Sequence, residues 1–188
     1  MGIEGGRQSR TSPLVVGVGV WLASEAMLFA GLFAAYFTLA AANEAWPPPD
    51  VDLSIPRAAI FTSVLVISSF TMQLAVHEGA AGREAASFRW ITMTGVLGAV
   101  YGANAVVELA TLDFGISSHA YGSIFFMIVG IHLIHLVAGI ALLGGVIALT
   151  AGTTTRMQLA PTVTVASYYW HFVVALSVAV VVVLYVVQ

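Results

Sequence analysis

The sequence predicts an all-α membrane protein, a bundle of five transmembrane helices. Three observations predict it. Five continuous apolar stretches are each long enough to cross a bilayer. Only 8% of the 188 residues are charged, and 60% are apolar. Five of the six arginines fall on one side of a five-crossing topology. A soluble domain carries roughly a quarter charged residues, so this surface faces lipid rather than water.

A helix needs about 20 apolar residues to span the hydrocarbon core. The stretches run roughly 14–42, 57–76, 90–112, 121–150 and 162–187. They are continuous rather than alternating, which favours helices over barrel strands. Residues 1–188 read as one membrane domain, with residues 1–13 as a tail. Pro13, Pro56 and Pro161 stand at helix starts, where a missing N–H costs little. Ser117 or Ser118 is placed to cap the fourth span. Trp46-Pro47-Pro48-Pro49 breaks the helix after the first span and reads as a connector. The first span is expected to be retained rather than cleaved as a leader. It is longer than a leader's apolar region and contains Glu25.

Arg7 and Arg10 precede span one, Arg83 and Arg89 separate spans two and three, and Arg156 separates spans four and five. The other side holds Glu44, Asp50, Asp52 and Asp113, with Arg57 at its edge. The positive-inside rule then places the N-terminus in the cytoplasm and the C-terminus outside.

Composition also excludes chemistry. Without cysteine there is no disulfide, iron–sulfur cluster or thiolate site. Without lysine or a basic run there is no nucleic-acid footprint. No nucleophile–base arrangement or phosphate loop is visible.

The informative residues are polar ones inside the membrane. Glu25 lies about eleven residues into span one, roughly 16 Å along the axis. A charged acid there costs about 2.5–3.5 kcal/mol on an insertion scale. Glu25 therefore needs protein, water or a lipid head group beside it, or a proton upon it. Trp21 is one turn earlier on the same face. Two readings stand: a protonated acid bonded to a neighbouring helix, or a group that stores or conducts protons. Glu108, His132, His135 and His171 are expected to form one polar cluster across spans three, four and five. The three histidines also make a conceivable metal or haem ligand set, although interhelical hydrogen bonding is the commoner use. His77 and His119, at span ends, are expected to be solvated. Gly98-x-x-x-Gly102 and the stripe Ser167, His171, Ala175, Ala179 suggest close helix packing.

Several segments together resemble subunit III of the haem–copper oxidases, in its short five-helix form. They are Trp21-Leu-Ala-Ser-Glu25 through Tyr36-Phe37, Ala45-Trp46-Pro47-Pro48, and Ser68-Ser69-Phe70-Thr71. Ala120-Tyr121-Gly122-Ser123 leading to His132 and His135, and Ser167-Tyr168-Tyr169-Trp170-His171-Phe172, complete the set. The resemblance implies a non-catalytic subunit of a cytochrome c oxidase, in a bacterial cytoplasmic membrane. It implies direct contact with subunit I, subunit II in the same complex, and possible membership of a respiratory supercomplex. It implies haems and copper in those partners, none in this chain, and bound phospholipid. The subunit would support proton uptake and protect subunit I during turnover. Glu25 matches the family's carbodiimide-reactive acid. Larger members have two further N-terminal helices enclosing a lipid cleft, which here would be open or filled by another subunit. The chain departs from the pattern at Val174, Leu109, Ala105 and Leu133, where the family commonly has aspartate, tyrosine, glutamine and glycine. Alternatives are a quinol oxidase subunit, a protein accompanying nitric oxide reductase, a haem-binding membrane anchor, and a small proton channel.

Overall fold

The computed structural model describes residues 13–151 and 159–187. The described chain is α1 (Pro13–Ala41), α2 (Ile55–Ala80), α3 (Glu84–Thr111), α4 (Ala120–Ala151) and α5 (Leu159–Val181). A π-helical turn, Val182–Val186, continues α5. All five helices are long and apolar enough to cross a membrane. In hydrocarbon the backbone has no water to bond, so each apolar run satisfies its N–H and C=O groups internally as helix. Arg7, Arg10 and Arg156, which carry part of the orientation reading, lie outside the described residues.

The helices alternate up and down. At one end Trp46, from the α1–α2 connection, packs edge-on to Tyr121 at the start of α4. Tyr185 after α5 reaches Phe125 at the same end. At the other end Gly79 lies against Ser87 and Ala160, bringing together the end of α2 and the starts of α3 and α5.

The α2–α3 connection is shorter than the hydropathy pattern suggests. α2 runs on to Ala80 and α3 begins at Glu84, so Arg89 is helical rather than in the loop. Gly82 adopts φ +73°, the left-handed conformation that closes a helix end. Arg83 reaches back to Glu78 as a two-point ion pair, with Nη2–Oε1 at 3.0 Å. The α4 cap also differs from the sequence expectation. His119 Nδ1 accepts the Gly122 N–H at 2.8 Å, the role expected of Ser117 or Ser118. Ser118 instead accepts the Gly115 N–H. His119 is therefore tucked against the helix, with Nε2 4.0 Å from Asp50 Oδ2, and not simply solvated. His77 is exposed.

Helices α2 to α5 form the packed body, and α1 leans on α4 and α5. Only 6% of the most apolar window of α1 is buried within the chain, against 50% for α5. Most of α1 thus faces lipid or another protein. Two apolar clusters fill the body. One contains Leu65, Met72, Ile91, Leu136, Val163 and Trp170. The other, towards the Trp46 end, contains Phe29, Tyr36, Tyr121, Phe125, Leu184 and Tyr185. The proline-rich connector belongs to the second, because Trp46, Val51 and Leu53 pack down onto it.

Trp170 locks four helices together. It is fully buried. Its Nε1 donates to Ser68 Oγ on α2 at 3.0 Å. A Cβ added to Gly98 on α3 would stand 2.5 Å from its Cη2. One added to Gly139 on α4 would stand 3.2 Å from its Cε3. Gly102 meets α4 in the same way, with a Cβ there falling 3.0 Å from Leu136 Cδ2. Small residues serve here to admit a large ring, since lipid provides no hydrophobic force and close packing must hold the helices.

The small-residue stripe on α5 does not form a continuous contact. Ser167 is buried but Ala175 is exposed, and the buried face runs through Val173, Val174, Leu176, Ser177 and Val180. A four-residue step overshoots the helical repeat by roughly 40°, so a stripe of four drifts off the interface.

Candidate functional site: an acid–histidine pair at the edge of the bundle

α1 meets the body along Trp21, Glu25 and Phe29, each one turn apart. Trp21 stacks on Tyr169 of α5, with ring centroids 5.1 Å apart and planes 3° from parallel. Phe29 packs edge-on against His135 of α4. Between them Glu25 Oε2 lies 2.9 Å from His135 Nε2. Tyr169 Oη donates to the His135 carbonyl at 2.9 Å, closing a ring of contacts among α1, α4 and α5.

The second nitrogen of His135 fixes the proton count. Nδ1 lies 2.8 Å from the Ile131 carbonyl, which can only accept, so Nδ1 carries a hydrogen. Two arrangements then satisfy the Nε2–Oε2 contact. Either imidazolium donates to carboxylate, or the neutral acid donates to neutral imidazole. Both carry zero net charge and differ only in where one proton sits. A carboxylate facing an unprotonated Nε2 would set lone pair against lone pair. The pair thus explains how Glu25 is tolerated in mid-membrane. The pair sits at a partly exposed position, with the Glu25 side chain 22% and the His135 side chain 12% exposed.

The structure does not bring all four residues of the expected cluster together, although Glu108 and His132 line one cavity. His135 turns to α1. His171 Nδ1 pairs with the Ser69 hydroxyl of α2 at 2.5 Å. Glu108 Oε1 accepts from Tyr185 Oη at 3.0 Å. His132 is 1% exposed and lies edge-on to Tyr101. Residues three apart on a helix differ by about 60° in direction, enough to send His132 inward and His135 to the α1 side. Among the described residues no three His, Cys, Asp or Glu side chains come together as a metal's donor set. The three histidines therefore do not form a joint ligand set.

Sequence reasoning missed several partners. Ser69 and Tyr169 stand in segments that carry the resemblance and Tyr185 in an apolar run, with nothing in the sequence to mark any of them as a hydrogen-bond partner. Gly139 lies four residues past His135 with no glycine at the GxxxG spacing to mark it.

Comparison with known proteins decides what kind of bundle this is. Residues 6–188 match the family model for cytochrome c oxidase subunit III. The chain belongs to that family. It is 38% identical over 169 residues to the probable cytochrome c oxidase subunit 3 of Nocardia farcinica, covering 88% of this chain and 83% of the relative. It is 36% identical over 181 residues to the probable cytochrome c oxidase subunit 3 of Mycobacterium tuberculosis, covering 94% and 89%. The quinol oxidase subunit 3 of Bacillus subtilis is 31% identical over 169 residues, covering 88% and 83%. Cytochrome c oxidase subunit III is a non-catalytic subunit of an oxidoreductase complex, and the chain is a membrane protein that associates with other oxidase subunits.

Val174, where the resemblance implied an acid, is buried, and the Ser69 hydroxyl of α2 is the hydrogen-bond partner of His171. Leu109 stands where the resemblance implied a tyrosine, and Tyr185 on the terminal π-helical turn brings a phenol to Glu108.

Proposed function

We propose that this chain is the accessory subunit III of a bacterial cytochrome c oxidase, bound directly to subunit I, with subunit II in the same complex. The haems and copper belong to those partners, and this chain holds none. Phospholipid occupies the sparsely packed surface of α1. The chain lies in the cytoplasmic membrane with its N-terminus inside. Arg83 and Glu44, Asp50, Asp52 and Asp113 support that orientation from opposite ends of the bundle.

The observation that carries the reading is the Glu25–His135 pair. It is a net-neutral, one-proton unit on the least buried helix, and the family's characteristic acid supplies half of it. Such a unit holds a proton at the bundle's edge without needing a redox centre. Its role is to support proton uptake and to stabilise subunit I during turnover.

Replacing Glu25 with glutamine tests this. A glutamine N–H can still donate to Nε2 of the neutral imidazole, so the helix contact survives while the exchangeable proton is lost. In the assembled oxidase, E25Q should leave initial oxygen reduction largely intact and shorten the time before activity decays. Abolished initial activity with normal assembly would refute an accessory role. The relatives named for cytochrome c are the more similar among those compared, which favours that donor over a quinol.

A further inference from the structure

A second polar site lies inside the bundle, away from α1. A cavity of about 30 Å³ opens between α2, α3, α4 and α5. Its polar wall is Thr62, Tyr101, Asn104, Glu108, His132 and Tyr185. Four of these have partners. Tyr101 Oη accepts from Ser177 at 3.0 Å, and Asn104 Oδ1 accepts from Arg57 Nε at 2.8 Å. Tyr185 donates to Glu108 Oε1. The other two do not. Among the described residues neither ring nitrogen of His132 has a hydrogen-bond partner, nor does the Thr62 hydroxyl, and all three atoms are buried.

Neutral imidazole always presents one donor and one acceptor. Leaving both unmet in a low-dielectric interior forfeits the full desolvation penalty. Buried polar atoms that protein does not satisfy are satisfied by ordered water, where room exists. A water needs about 10–15 Å³ of such space, so this cavity has room for about two. It also offers the two to four polar partners a water requires. Glu108 has a second carboxylate oxygen beyond the one Tyr185 engages. The volume is too small for a haem or a lipid head group, and one histidine with one glutamate is a poor donor set for a metal.

We propose that this cavity is an internal water-binding site, with one or two waters held by His132 and Thr62 and bridging towards Glu108. One water can accept from the ring N–H and a second can donate to the other ring nitrogen, which faces away from the first, and the cavity they share joins a histidine of α4 to an acid of α3. The result is a buried hydrogen-bonded relay distinct from the Glu25–His135 pair. Its outer neighbour is the Arg57–Asn104 bond at the start of α2.

A map of the assembled oxidase at a resolution that shows ordered water tests this. One or two peaks should lie about 2.7–3.2 Å from His132 ring nitrogens. The peak beside His132 should vanish in His132→Leu and persist in His132→Gln, which keeps a donor and an acceptor. Thr62→Val, nearly isosteric, should remove or displace the peak nearest residue 62 without disturbing the helices, and it decides the matter if the leucine variant fails to assemble. An empty cavity in the unaltered complex would overturn the proposal. So would a peak at metal-bond distance from His132, or one indifferent to all three substitutions.

Discussion

Alanine in place of Gly98 should destabilise the bundle by about 1–3 kcal/mol, the usual range for overpacking a filled core. The added methyl would lie 2.5 Å from Trp170 Cη2 and 3.0 Å from Cζ2, well inside contact distance. Trp170 cannot swing clear. Its Cε3 and Cζ3 atoms meet Gly139, and its Nε1 is held by Ser68. Relief therefore requires α3 to move away from α5, or the indole to leave its bond. Trp170→Phe removes the outer ring atoms that the methyl of Gly98→Ala would strike, at the expense of a cavity and the Ser68 bond. The double variant should consequently be less damaged than the sum of the two single ones. Thermal unfolding of the purified complex, read as a double-mutant cycle, measures that coupling. Additive losses would mean that Gly98 and Trp170 do not share the contact described.

Leucine in place of His135 should be the most damaging change on the α1 side. It leaves Glu25 in mid-membrane with no partner. Removing one member of a buried ion pair commonly costs about 3–5 kcal/mol, and the partial exposure of this pair should place the loss at or below the lower end of that range. The paired substitution of leucine at both Glu25 and His135 should recover much of the loss, because replacing both partners by apolar groups is often nearly neutral. E25Q alone should be mild. The expected order of assembled, detergent-resistant complex is therefore unaltered chain, then E25Q, then the double leucine variant, then H135L. A double leucine variant worse than H135L would show that the two residues do not act as a pair.

The residues differ in how much of this they disclosed beforehand. The spans were legible because each apolar run exceeds what a bilayer crossing demands, and charged residues punctuate the ends. Glu25 was legible as a problem, since its position carries an energetic penalty whatever surrounds it. Its solution was not legible. His135 is 110 positions away, and only three-dimensional packing reveals which helix α1 touches. The histidines on α4 looked like one group because three residues make nearly a turn, yet the residual 60° divides them between two environments. The glycine pair on α3 was readable from its spacing. Its purpose was not, because the ring it admits belongs to α5. The α5 stripe shows the reverse error, a regular spacing that the helical repeat carries away from the interface.

The most direct measurement is purification of the tagged full-length chain in mild detergent, followed by absorbance spectra before and after stripping away its partners. The intact preparation should show a haem spectrum from a co-purifying oxidase subunit, and the separated chain should show no Soret band. Haem retained by the separated chain, or a native preparation in which no haem protein accompanies it, would contradict the assignment of this bundle as an accessory oxidase subunit.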